Sequence, residues 1–312
     1  MTSAPDTHQQ DISIGLKDLG LVLAMNIAWG GNFVVSKFAV TELPPIFSAG
    51  VRFAIVALVC LPWLKPLYGR MKAVLTIAML MGFIHFSLLF IALEMSNKIS
   101  AMAIIAQLGV PLSVIMAVVL LGERVGIYRI TGIALAFGGA VLLGFDPEIF
   151  NDLPAVTVMF ISVVIMSYCA ILMRNLRGVA PLELQAWIGV SSFAPLFALS
   201  AVVEWGRFDQ VLNASWTGWV AVIYSAVISS VLAHAINFYL IQRYPVSTVA
   251  PYSLLAPVVG VLTSVWLLGD QLTWQLVLGG VITLGGVLLI TLRSSKKPSP
   301  APKASKEEGA LS

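Results

Sequence analysis

The chain has 312 residues, 59% of them hydrophobic and only 11% charged, with a formal charge of +3. Water-soluble domains carry about 25% charged residues, so lipid is the solvent for most of this chain. The small net charge gives no reason to expect a nucleic-acid partner. The two cysteines, Cys60 and Cys169, sit in separate apolar runs with no metal-ligand spacing, so neither a metal nor another cofactor is expected.

Residues 1–17 are polar and lack a charged-apolar-cleavage pattern, so the first apolar run reads as an uncleaved helix. A spanning helix needs about 20 mostly apolar residues. Ten segments qualify, at roughly 18–39, 45–64, 73–93, 99–121, 127–145, 154–173, 181–203, 217–241, 246–268 and 274–292. Open sheet edges do not survive in lipid, so these are helices and the protein is an all-α integral membrane protein. Residues 293–312, rich in Lys, Pro, Ser and Ala, are expected to be a disordered cytoplasmic tail.

Basic residues set the orientation. With a cytoplasmic N-terminal tail over 1–17, fourteen bases fall inside: Lys17, Lys65, Arg70, Lys72, Arg124, Arg129, Arg174, Arg177, Arg243 and five beyond residue 292. Only Lys37, Lys98 and Arg207 fall at outer ends. Asp146, Glu148 and Asp152 lie in the loop 146–153, which is then extracytoplasmic. Both termini are therefore expected inside.

One stretch occurs twice. Leu121-Gly122-Glu123 is followed by Gly132, Gly138 and Gly139; Leu268-Gly269-Asp270 is followed by Gly279, Gly285 and Gly286. The spacing between copies is 147 residues at every one of these positions. Upstream of each copy an apolar helix is broken by proline, at Pro111 in one and at Pro251 and Pro257 in the other. These three prolines are expected to act as structural hinges. Five helices per half is an odd number, so the halves 18–145 and 154–292 enter the membrane from opposite sides. Inverted repeats with interrupted helices are a mark of transporters that work by alternating access.

Polar residues deep in a span are costly and invite a functional reading. Asn26, Trp29, Gly30, Phe33 and Lys37 share one face of the first helix. Gln107 lies one turn before Pro111; His85 sits mid-helix; Ser230, His234 and Asn237 share a face. The expected cavity wall is Trp29, His85, Gln107, Tyr168, Trp187 and Asn237, backed by Asn26, Asn32 and Ser192. The plainer alternative is that Asn, Gln and Ser only bond across to neighbouring helices, for about 0.6 kcal/mol each. Arg52 either snorkels outward or meets an anionic group at the outer mouth. Glu123 and Asp270 are expected to stabilise the N-termini of the helices that follow them. Trp205, Trp216, Trp219, Trp266 and Trp274 read as an interfacial belt. No Asp or Glu falls in the middle of a span, which disfavours a carrier of lipophilic cations. No nucleotide-binding, zinc-protease or serine-hydrolase motif is present, so no enzyme is expected.

These residues carry a resemblance. Ala28-Trp29-Gly30 with Phe33 and Lys37, Pro45 and Pro181 opening two helices, and the doubled Leu-Gly-acid motif resemble the drug/metabolite transporter superfamily, in its EamA-type ten-helix branch. Within that branch the chain is most similar to amino-acid exporters of the YddG type. The resemblance covers residues 18–292 and implies two EamA-like repeats. It also implies secondary transport, commonly export across the inner membrane, of a small-molecule substrate such as a neutral or zwitterionic amino acid. Membrane lipid is the other expected partner, and a monomer is expected over a dimer. The competing readings are a drug or organic-cation exporter and a non-transporting receptor or intramembrane enzyme.

Overall fold

The structure is a computed structural model that describes residues 14–95, 105–143, 153–176, 178–268 and 273–294. The tails before residue 14 and after residue 294, the loop 146–152, Lys98, Arg177 and Asp270 lie outside the described residues, as do the side chains of Phe33 and Lys37. Among the described residues there is no strand. The main helices are α1 (Leu16–Glu42), α2 (Pro45–Trp63), α3 (Met71–Met95), α4 (Ile105–Leu121), α5 (Ile127–Leu143), α6 (Leu153–Asn175), α7 (Pro181–Val203), α8 (Trp216–Arg243), α9 (Val246–Leu267) and α10 (Trp274–Ser294). A short helix, Phe208–Asn213, lies between α7 and α8. Eight of the ten are long and apolar enough to cross a membrane; α4 and α5 are shorter apolar helices.

Two helices depart from α geometry in the middle. In α3 the stretch Ala78–His85 is a π-helix, and in α8 so is Ser225–Ala233. Their first residues are 147 apart, the spacing of the sequence repeat. A π stretch closes its hydrogen bonds one residue further along and re-aims its side chains, and such stretches favour functional sites. In α9 the break is different: Pro251 opens a tighter 3-10 stretch, Ala250–Leu254, before the helix resumes. Pro251 is buried; Pro111 and Pro257 are half-buried.

Helix ends are tied to distant helices by buried carboxylates. Gly122 ends α4 with φ 66°, a left-handed turn that glycine makes without strain. The turn delivers Glu123 to the start of α9, where its two oxygens accept from the N–H groups of Val246 and Ser247, both at 2.9 Å. Glu123 thus caps α9, not the α5 terminus expected from sequence. Glu204, just past α7, does the same for α2. It accepts from Ile46 N–H at 2.7 Å, Phe47 N–H at 2.8 Å and the Ser200 hydroxyl at 2.6 Å. Both capped helices follow prolines, Pro44-Pro45 and Pro245, which leave the next N–H groups as the first in need of acceptors. A hydrogen bond to a charged acceptor contributes about 1.5–3 kcal/mol. Glu42 accepts from Ser215 N–H at 2.8 Å, ahead of α8. Tyr244 donates to Asp18 at 2.6 Å. Burial, and then that bond, push the Tyr244 phenol above its usual range, which keeps it a donor. Lys65–Glu183 and Arg207–Glu94 form ion pairs at 2.5 and 2.7 Å.

Glycines set the closest packing. A methyl group on Gly132 would lie 2.9 Å from the Gly286 carbonyl, and one on Gly139 would lie 2.6 Å from the Gly279 carbonyl. Helices α5 and α10 therefore run antiparallel with backbones in contact, and the pairing is reciprocal: 132 with 286, 139 with 279. Gly30 brings α1 equally close to Ala256 and Val259 on α9. By contrast Gly138 and Gly285 face open space. The exposed side chains of Trp205, Trp216, Trp266 and Trp274 fit a membrane-facing belt, whereas Trp219 packs against the Ala39–Leu43 cluster.

These glycines give a direct contrast. Gly286→Leu places atoms where a methyl already lies 2.4 Å from Ala136 N, and overpacking of this kind costs about 1–3 kcal/mol. Its thermal unfolding in detergent should fall clearly below that of the unsubstituted protein, whereas Gly285→Leu should leave it unchanged.

Candidate functional site

The polar interior is organised on the two π stretches. From α2, Arg52 points into the bundle and is 8% exposed. Its Nε donates to Ser230 Oγ at 2.6 Å and its Nη2 to Ser229 Oγ at 3.2 Å. On its other side the guanidinium lies over the Phe86 ring, 5.0 Å from the centroid. Arg52 therefore does not snorkel to the surface. A basic side chain at the centre of a span costs about 2.5–3.5 kcal/mol on insertion scales; two hydroxyls and an aromatic face offset part of that.

His85 closes the π stretch of α3, edge-on to Phe86 at 5.1 Å. Ser162 on α6 fixes it. The Ser162 hydroxyl donates to the His85 carbonyl at 2.8 Å, so it cannot also donate to the ring. The contact between Ser162 Oγ and His85 Nδ1, at 2.8 Å, then has the ring as donor, and Nδ1 also faces the Ser162 carbonyl at 3.1 Å. In the neutral ring the proton then sits on Nδ1, which leaves Nε2 as an acceptor. His234, immediately after the π stretch of α8, stacks edge-on against Trp29 of α1 at 5.2 Å.

Toward one end of the bundle the cluster borders a narrow cleft. Arg52, Ser36, Ser48, Ser225 and Phe90 contribute to its wall. Asn32 bridges two of its sides: its amide donates to Ser36 at 3.0 Å and its carbonyl accepts from Ser225 at 2.7 Å. Four buried polar atoms have no partner among the described residues: Asn26 Oδ1, Ser87 Oγ, His234 Nδ1 and Thr248 Oγ1. Ser87 and His234 are 147 residues apart, so both π stretches are followed by an unsatisfied polar atom at the same register.

The residues expected from sequence divide into two groups. Trp29, His85, Asn32 and Arg52 come together around the π stretches. Asn26 is buried but donates back to Val22 in its own helix. Gln107 and Asn237 are half-buried, with Gln107 beside the turn at Leu108 that precedes Pro111. Ser167 steadies that turn by donating to the Gly109 carbonyl at 3.2 Å. Ser192 is packed against Gly82 and donates to the Ala78 carbonyl, a helix-to-helix bond. Trp187 lies away from the cluster and donates to the Lys65 carbonyl beyond α2. Tyr168 is 41% exposed on the outside of the bundle. Sequence reasoning passed over Phe86, Ser225 and Ser229. Among the described residues no three His, Cys, Asp or Glu side chains form a metal-binding group.

The EamA-like transporter family matches residues 17–145 and again residues 153–292. The chain belongs to this family. It is a membrane transporter. A probable amino-acid metabolite efflux pump of Escherichia coli is 25% identical over 88% of this chain and 94% of its own length. Its counterpart in Salmonella typhimurium has the same identity and coverage. An uncharacterized inner membrane transporter of Escherichia coli, YedA, is 25% identical over 88% of this chain and 90% of its own. A solved crystal structure, 18% identical, superposes with a TM-score of 0.75 over 90% of this chain and 99% of that one, a likeness of fold.

The tautomer assignment is measurable. In ¹⁵N spectra of histidine-labelled protein, His85 should show a protonated Nδ1 and a bare Nε2. Ser162→Ala should remove that signature and give mixed tautomers. An unchanged His85 signal in the variant would mean that another group holds the ring.

Proposed function

We propose that the protein is a secondary transporter of small neutral or zwitterionic metabolites, amino acids foremost, that it exports them across the inner membrane, and that it works by alternating access. The observation that carries this reading is the polar cluster at the two π stretches, of which Arg52 and Ser225 line a cleft at one end of the bundle. Neutral acceptors at His85 and Asn32, and donors at Arg52 and the serines, suit a solute with both a positive and a negative end. The efflux-pump relatives support the solute class.

The architecture behind it is ten spans in two inverted five-helix repeats, with α4 and α5 crossing along with the longer helices. Three features support this: the constant spacing of 147 in the motifs, the same spacing between the π stretches, and the reciprocal glycine contacts of α5 with α10. A two-fold axis produces this kind of reciprocal pairing. The cleft then opens outward, and both termini are cytoplasmic. Reporter fusions after residues 150 and 305 should report opposite sides of the membrane; reports from one side would overturn the arrangement.

Transport itself is tested in liposomes. Purified protein should catalyse counterflow of a labelled neutral amino acid, little altered by collapsing an imposed pH gradient, and the flux that remains in His85→Asn should be as insensitive to that gradient. A proton-coupled antiporter needs a group that cycles its proton in competition with the solute. Among the described residues the acids are engaged at helix ends or, for Asp209, exposed. Concentrative uptake that requires the pH gradient would reject the facilitator reading.

A further inference from the structure

We propose that Arg52 is the receptor for a carboxylate on the substrate, and that this carboxylate, not an α-ammonium group, defines the substrate class. The inference rests on the transport reading above. Its consequence is that 2-oxo acids and N-acylated amino acids are ligands of the same site, whereas amino-acid amides and simple amines are not.

The argument begins with an unbalanced charge. Arg52 is fully cationic at any physiological pH, is 8% exposed, and among the described residues has no carboxylate partner. Of the described acids, Asp209 is exposed outside the bundle interior, and the other six are engaged elsewhere. Glu42, Glu123 and Glu204 accept backbone N–H groups at helix starts; Asp18, Glu94 and Glu183 pair with Tyr244, Arg207 and Lys65. A charge this deep is retained where it pairs with something or lines a pathway.

The geometry of its present partners points to what fits. Two nitrogens of the guanidinium fork each hold one neutral hydroxyl, Ser230 on Nε and Ser229 on Nη2. Two oxygens side by side on that edge are what a carboxylate supplies bidentately, with bonds about twice as strong as those to neutral acceptors. The two serine hydroxyls stand where the oxygens of a carboxylate would sit. Nη1 has no hydrogen-bond partner among the described residues, so an additional donor is open. Arg52 also belongs to the wall of the cleft and so borders the space on that side. Phe86 backs the guanidinium and keeps its plane in place.

Among the described residues no carboxylate lies in the cluster to receive a cation. The acceptors in the cluster, such as the unpartnered Asn26 and Ser87 oxygens and the Asn32 carbonyl that holds Ser225, are neutral. These can receive an ammonium, but they offer no charge to compensate one. Removing the ammonium from the solute therefore costs little, and removing the carboxylate costs the interaction with Arg52.

The test uses the full-length protein in liposomes preloaded with a labelled neutral amino acid. Counterflow is measured against four unlabelled competitors built on the same side chain: the 2-oxo acid, the N-acetyl amino acid, the amino-acid amide and the decarboxylated amine. The two carboxylates should compete within a few-fold of the parent amino acid. The amide and the amine should compete at least about tenfold more weakly, the loss expected for a charge-assisted bond. Arg52→Gln, checked for a monodisperse folded state, should abolish discrimination between acid and amide. If that variant does not fold, the competitor series on the unsubstituted protein still decides the matter. Amide or amine competing as well as the acid would overturn the carboxylate assignment and leave the transport reading intact. Absence of any amino-acid counterflow, with flux of an organic cation instead, would overturn the transport reading itself.

Discussion

Holding the Arg52 guanidinium inside a lipid-solvated bundle is the constraint on which the interior depends. A neutral side chain there would need only volume; a charge needs oriented dipoles from several helices at once. Ser229 and Ser230 come from α8, and the aromatic face comes from α3. Adjacent residues of a regular α-helix point about 100° apart, so two consecutive serines do not normally serve one partner. The π stretch over Ser225–Ala233 coincides with the place where they do. The same local distortion in α3 ends at His85, whose ring Ser162 holds in a single tautomer. The distortions are thus part of how the polar cluster is assembled from helices whose outer faces remain apolar.

Around that cluster the bundle is fixed by two devices that use little side-chain volume. One is the carboxylate that leaves its own helix end and caps another: Glu204 for α2, Glu123 for α9. Each satisfies two backbone donors that would otherwise be unpaired near the membrane. Capping α2 matters for the site because α2 carries Arg52. The other device is the glycine notch, which lets α5 meet α10 and α1 meet α9 at backbone distance. Small residues at such crossings are the usual basis of tight packing in lipid, where burial of apolar surface gives no advantage.

Much of the fold was legible because a spanning helix leaves a strong mark in composition. The expected segments match the helices within a few residues at most ends, and four of the repeated glycines, Gly132, Gly139, Gly279 and Gly286, form the contact between α5 and α10. The site was less legible. Trp29, His85 and Arg52 stood out because such residues are rare at that depth. Tyr168 and Trp187 were chosen for the same chemistry, but depth and residue type do not say which face of a helix looks inward; one lies on the outside and the other bonds beyond α2. Ser225 and Ser229 were missed because serine in an apolar helix looks like ordinary interhelical bonding. The π stretches themselves have no sequence mark, and a regular helical wheel misassigns faces across them. Glu123 was assigned to the nearest helix along the chain, whereas the left-handed turn at Gly122 sends it to one far away in sequence.

The contact between α5 and α10 also bears on how the bundle can rearrange. At Gly132, Gly139, Gly279 and Gly286 the two backbones meet, with only the long side chains of Ile290 and Leu143 reaching into the contact, so little compliant material is left to absorb sliding. Translation of one helix along the other would drive a neighbouring side chain into a backbone. Rotation about the line of contact meets no such obstacle. Any large motion that preserves these four positions must therefore pivot on them, which makes the helix pair a fulcrum and places the greatest displacement at the parts of the bundle farthest from it.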